Sequence, residues 1–199
     1  MGGGHEPPDE RLVLLAKDGN LDAFNSLVDR YQGAVYSLSY RLLGSREGAE
    51  DASQEAFISA YRAIGRFDGG NFRSWLLRIT ANQCKDELRR RKRKDAATSL
   101  DAALDSEEAP IEIRDPGEGI LVLVERRELG QALEGLLLEL PFEQRQAVLL
   151  VDVYDFAYEE VSELTNTSLG TIKSRIHRGR ERLRILYTNR RELFPGPGR

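Results

Sequence analysis

Between Phe24 and Leu42 the apolar residues Phe24, Leu27, Val28, Tyr31, Val35, Leu38 and Leu42 recur at steps of three and four. Only an α-helix gathers such positions on one face, because its 3.6-residue turn stacks i, i+3, i+4 and i+7. Gly44 then stops the helix. The same period governs most of the chain. Ala49, Ala52, Ala56, Ala60 and Ile64 form a stripe of mostly small residues that lets a second helix approach its neighbours closely. Phe72, Trp75, Leu76, Ile79 and Leu88 carry a third, from Phe72 to about Arg93. No run alternates with period two and no segment repeats, so the expected fold class is all-α.

Glycine and proline mark residues 1–8 and 192–199 as disordered tails. Residues 95–120 hold Pro110, Pro116 and a single basic residue, Arg114, against eight acidic ones, with no helical period. They read as a flexible acidic linker. Two small helical domains result, 9–94 and 121–191. Within the first, Gly65–Asn71 reads as a turn-rich loop. In the second, a helix is expected from near Ile120 through Leu137, and another over 142–154 with Pro141 at its entry. A helix over 155–164 and the polar turn Thr165–Ser168 follow. Thr167 or Ser168 caps the last helix, which runs to about Arg191.

Several functions are poorly supplied. The apolar runs fall short of the ~18–20 residues that cross a bilayer, and Met1–Glu10 lacks the basic and apolar regions of a signal peptide, so a cytoplasmic location is expected. One cysteine and two histidines, His5 and His177, supply neither a disulfide framework nor a cysteine-rich zinc site. No catalytic residue, metal or cofactor is expected, and Cys84 reads as a small core residue.

Charge points to nucleic acid. The formal net charge is −4, yet residues 168–191 hold eight basic side chains against one acidic, and 85–94 hold seven against two. Phosphate binding depends on such local patches. A helix, a polar turn and a basic helix form the helix-turn-helix layout, whose second helix enters the major groove. There Ile172, Ile176, Gly179, Leu183 and Leu186 make the buried stripe, leaving Lys173, Ser174, His177 and Arg178 outward. Arg175, Arg180, Arg182 and Arg184 surround them as phosphate partners; the bland alternative is a solvated basic helix. Beside the other basic block, Phe72 and Trp75 fit either stacking on unpaired bases or a plain core. Glu50, Asp51, Gln54 and Glu55 fit either a docking face for a basic partner or ordinary surface.

Ala49–Phe57 (AEDASQEAF) and Phe72–Asn82 (FRSWLLRITAN) resemble region 2 of bacterial sigma factors. Leu140-Pro141 with Arg145, Tyr158–Val161 (YEEV) and Gly170–Arg180 (GTIKSRIHRGR) resemble region 4. The chain is therefore identified as similar to the extracytoplasmic-function (ECF) sigma factors of the sigma-70 family, with region 2 a helical bundle and region 4 a helix-turn-helix. The resemblance implies a non-enzymatic factor that binds core RNA polymerase, recognises −35 and −10 promoter elements and helps open the DNA. It places Asp51, Gln54 and Glu55 against the clamp helices of the largest polymerase subunit, with region 4 near the flap. It places Arg66, Asn71, Phe72, Arg73 and Trp75 at the melted −10 element. Lys173, Ser174, Arg175, His177 and Arg178 fall at the −35 element, with Arg180 and Arg182 on phosphates. An anti-sigma factor is an implied partner, able to hold the chain at the membrane; no stable homo-oligomer is expected. His177 stands where the family usually has an apolar or aromatic residue, Gly179 where it has alanine, and Thr165–Thr167 is an unusual turn. The alternative is a stand-alone helix-turn-helix regulator, which would have no need of the Asp51, Gln54 and Glu55 docking face.

Overall fold

The computed structural model describes residues 7–98, 130 and 132–190. Among them the regular structure is helical: α1 (Asp9–Lys17), α2 (Leu21–Leu43), α3 (Arg46–Ala63), a 3-10 turn (Ile64–Arg66), α4 (Phe72–Thr98), α5 (132–138), α6 (Phe142–Val148), α7 (Tyr158–Thr165) and α8 (Leu169–Asn189). A π-helical turn, Leu149–Val153, continues α6. The chain divides into two compact units, Met1–Ala103 and Leu104–Arg199.

In the first unit α2 packs on α3 and α4, and α1 packs on α2. Val35, Leu38 and Leu42 of α2 are fully buried, as are Ala49, Ala56 and Ala60 of α3, so the small-residue stripe brings the two backbones together as its composition predicts. Helices α2, α3 and α4 each begin on a side-chain cap, whereas α1 starts at Pro8 without one. Asn20 accepts from Ala23 N at 3.0 Å, Ser45 from Gly48 N at 3.3 Å, and Asn71 from Ser74 N at 3.0 Å. Such caps satisfy backbone donors that have no partner in the first turn. Gly44, at φ +73°, closes α2 in the left-handed conformation that glycine adopts without strain.

In the second unit α6 and α7 pack on α8, around Leu149, Leu150, Val161, Ile172 and Ile176. Truncating one of these to alanine is worth about 2–5 kcal/mol. Arg145 is also buried and donates to Leu138 O at 3.2 Å, tying α6 to the end of α5.

Several boundaries differ from the sequence expectations; α7, for one, begins at Tyr158 rather than at 155. Helix α1 is not among the expected elements, although Pro8, acidic Asp9 and Glu10, and terminal Lys17 are start and stop signals. Pro7 lies within the expected tail, yet its carbonyl accepts from Arg30 Nη2 at 2.8 Å. Helix α4 continues to Thr98, beyond the expected linker start at 95. Helix α6 stops at Val148 rather than 154, because the π turn takes over. Residues 99–129 and 191–199, with most of the expected linker and the C-terminal tail, lie outside the described residues, as does the start of the helix expected near Ile120.

Candidate nucleic-acid interface

The recognition helix α8 is rotated as its apolar spacing requires. Ile172, Ile176 and Gly179 are buried, Leu183 and Leu186 half-buried, and Lys173, His177 and Arg178 exposed. Ser174 and Arg175 are half-buried at the rim. Ser168, one of the two candidate caps, accepts from Thr171 N at 3.2 Å and starts the helix.

The unusual turn before it has a clear physical basis. Asn166 adopts the left-handed conformation at φ +51°, which asparagine tolerates better than most residues. Thr165 Oγ1 donates to Val161 O at 2.7 Å, and Thr167 N donates to Ser162 O at 3.1 Å. Ser162 Oγ in turn donates to Thr167 O at 2.5 Å. The Thr-Asn-Thr segment is thus a bonded corner that sets the angle between α7 and α8.

The arginines of α8 divide by what they already hold. Arg178 folds onto its own helix, donating to Ser174 O at 3.2 Å and Ser174 Oγ at 2.9 Å. Arg184 pairs with Glu181 at 2.7 Å, and Arg182 is exposed. Arg180, expected on a phosphate, instead forms a fork with Asp152, Nε to Oδ2 at 3.0 Å and Nη2 to Oδ1 at 2.5 Å. This charge-assisted pair raises the guanidinium pKa above its ordinary value. Nothing in the sequence flagged Asp152, since its partner lies 28 residues away.

In the first unit, Gly69 and Gly70 take φ values of +97° and +87°, and the loop they form leads into α4 at Asn71. Asn71 is exposed, and its side chain caps the helix as well as facing the loop. Phe72 is only 3% exposed, in an aromatic cluster with Tyr31, Phe67 and Trp75 at centroid separations of 5.1–5.8 Å. Trp75, which the sequence left between core and stacking surface, is half-buried. Arg66 is exposed and Arg73 half-buried. A groove of about 520 Å³ runs between α1 and this loop, lined by Val13, Leu14, Tyr31, Phe67 and Phe72 with Asn71 and Arg73 at its edge. Phe72 therefore belongs to the floor rather than the rim. Tyr31 is pushed up to about 12, first by burial and then by donating to the Asp9 carboxylate.

On α3, Asp51, Gln54 and Glu55 lie exposed on the face opposite the alanine stripe. Asp51 is held by Arg90 of α4 at 3.2 Å. Arg90 also reaches Glu87 at 2.6 Å, and Arg91 reaches the other oxygen of Glu87 at 2.8 Å and Ser45 Oγ at 2.8 Å. Part of the basic run read as a nucleic-acid groove is thus a brace between α4 and the start of α3. A cleft lined by Asp51, Glu55, Gln83, Asp86, Glu87 and Arg90 separates the two helices. Among the described residues no group of histidine, cysteine and carboxylates forms a metal site.

Comparison with known proteins fits this layout. Residues 27–94 match the model of Sigma-70 region 2, and residues 130–183 that of Sigma-70, region 4. The chain belongs to the ECF sigma factors of the sigma-70 family. It is 38% identical over 183 residues to the ECF RNA polymerase sigma factor SigW of Bacillus subtilis, covering 88% of this chain and 94% of that one. It is 38% identical over 178 residues to the ECF RNA polymerase sigma-E factor of Escherichia coli, covering 87% and 91%. Among solved structures it resembles the sigma factor RpoE of Bartonella quintana, crystallised with the anti-sigma factor NepR. The TM-score is 0.65 at 26% identity, over 83% of this chain and 96% of that one. This sigma factor is an alternative RNA polymerase subunit for transcription initiation, neither an enzyme nor a stand-alone regulator.

Proposed function

We propose that the two units divide promoter recognition between them, with boundaries near 9–94 and 121–191. The second reads the −35 element through Lys173, Ser174, Arg175, His177 and Arg178, with Arg182 on phosphate. The supporting observation is the buried stripe Ile172, Ile176 and Gly179, which turns Lys173, His177 and Arg178 away from α6 and α7. Arginine is the usual bidentate reader of guanine, and one good pair discriminates by about 1–3 kcal/mol. The first unit docks on the polymerase clamp through Asp51, Gln54 and Glu55, and holds melted −10 DNA with Arg66 and Asn71 at the two ends of the loop and Arg73 and Trp75 at the start of α4, over a floor that includes Phe72. The chain functions in the cytoplasm, and an anti-sigma factor, like the one crystallised with the Bartonella relative, keeps it from polymerase until released. Among the described residues no helix is long and apolar enough to cross a membrane, and the proposed tether is the anti-sigma partner.

The test is transcription by reconstituted holoenzyme from a library of randomised −35 elements. Arg178→Ala should relax preference at one or two positions. Arg182→Ala should weaken binding evenly across sequences and lower its salt dependence. Unchanged base preference with Arg178→Ala would overturn the −35 assignment.

A further inference from the structure

The recognition helix is gripped from behind at two consecutive residues. Gly179 is buried, and a methyl group there would come within 2.7 Å of Val148 Cγ2 and 3.4 Å of Gln144 O. Any other residue there would require Val148, or the helix that carries it, to give way. Glycine is also among the poorest helix formers, so its place in mid-helix follows from this approach rather than from propensity. The next residue, Arg180, makes the two-bonded fork with Asp152. Asp152 lies in the π turn Leu149–Val153. That turn adds a residue to the helical repeat and puts its side chains out of phase with those of α6.

We propose that Gly179 and Arg180 are positioning residues, which set through Val148 and Asp152 the depth and tilt at which α8 offers Lys173, His177 and Arg178 to the −35 element. This rests on the reading that α8 enters the major groove. It moves Arg180 out of the phosphate-binding set. The rival role is real, because the Arg180 side chain is 51% exposed and could leave Asp152 for a phosphate. The two roles predict opposite signs for one substitution. If Arg180 binds phosphate, Asp152→Asn frees it and tightens promoter binding. If the fork is a positioning contact, Asp152→Asn loosens α8 and weakens binding.

The experiment uses holoenzyme reconstituted with the full chain, and measures duplex promoter affinity against salt together with −35 base preference from a randomised library. Asp152→Asn and Arg180→Gln should each lower affinity about threefold to fivefold, the scale of a well-formed surface pair, and broaden base preference. The double variant should be no worse than either single one, and the salt slope should stay at its wild-type value. Tighter binding by Asp152→Asn, or a slope reduced by about one with Arg180→Gln, the signature of a lost phosphate contact, would overturn the assignment. Gly179→Ala should also blur base preference, and Val148→Ala in the same chain should restore it along with the thermal transition. A Gly179→Ala factor with wild-type preference, or one that Val148→Ala does not rescue, would count equally against the role. Arg178→Ala is run in parallel. If it keeps full base preference, the −35 reading itself fails and this proposal with it; if it relaxes preference while Asp152→Asn changes nothing, only the positioning role fails.

Discussion

Asn71 carries a structural and a functional demand on one side chain. It caps α4 and stands at the end of the loop assigned to melted DNA. Asn71→Ala should lose about 1 kcal/mol of stability with the cap, so a transcription defect in that variant alone proves little. Asn71→Asp keeps the capping oxygen and suits the helix N-terminus, but removes the amide donor. It should melt at or above the wild-type temperature, yet be impaired on duplex promoters and competent on templates already opened around the start site; an equal defect on both templates would sink the melting role. Cys84 is simpler. It is buried, and burial pushes its thiol up to about 12, so iodoacetamide at pH 8 should leave it unmodified until the protein unfolds. Tyr31, also raised to about 12, acts in the same direction. Both groups hold their protons more tightly when folded than when unfolded. Their contribution is therefore fully present below the ordinary values of 9.0 and 10.0 and lost as pH rises toward 12. Denaturation midpoints measured from pH 8 to 11 should fall accordingly.

At the level of the elements, the brace from α4 to α3 turns on Glu87, which is 9% exposed between Arg90 and Arg91. Glu87→Ala should destabilise the first unit by about 1–2 kcal/mol, less than the 3–5 of a fully buried pair, because Arg90 reaches solvent. Urea denaturation followed by circular dichroism measures it; a change within about 0.5 kcal/mol, the range of ordinary surface substitutions, would show the brace to be idle. That brace also explains how far the sequence could be read. Helices α2, α3 and α8 were legible because long amphipathic patterns, Gly44 and the Ser168 cap all point the same way. The outward set Lys173, His177 and Arg178 followed from the stripe alone. The reach of Arg90 to Asp51, the role of Asp152 and the groove wall from α1 were not legible. Each owes its role to a contact made by folding, such as Arg91 with Ser45 at a separation of 46 residues, and no local period encodes that. The π turn was missed because its apolar residues continue the pattern of α6 without a break.

For the whole molecule, two units on one chain allow polymerase docking and upstream recognition to fail separately. Replacing Asp51, Gln54 and Glu55 together by alanine should abolish co-elution with core polymerase, while helicity and the face of α8 proposed for the −35 element stay intact. Arg178→Ala should do the reverse, co-eluting normally while misreading promoters. Co-elution undiminished in the triple variant would refute the docking face. The π turn at Leu149–Val153 reaches further, into how such a chain changes over generations. A π turn closes i→i+5 hydrogen bonds, so it holds one residue more than the α-helical turn it replaces. Losing a codon there would restore α-helical phase and swing the following residues by about 100° relative to α6, parting Asp152 from Arg180. A lesion that most surface loops absorb would then release α8 while leaving every residue proposed to face DNA unchanged.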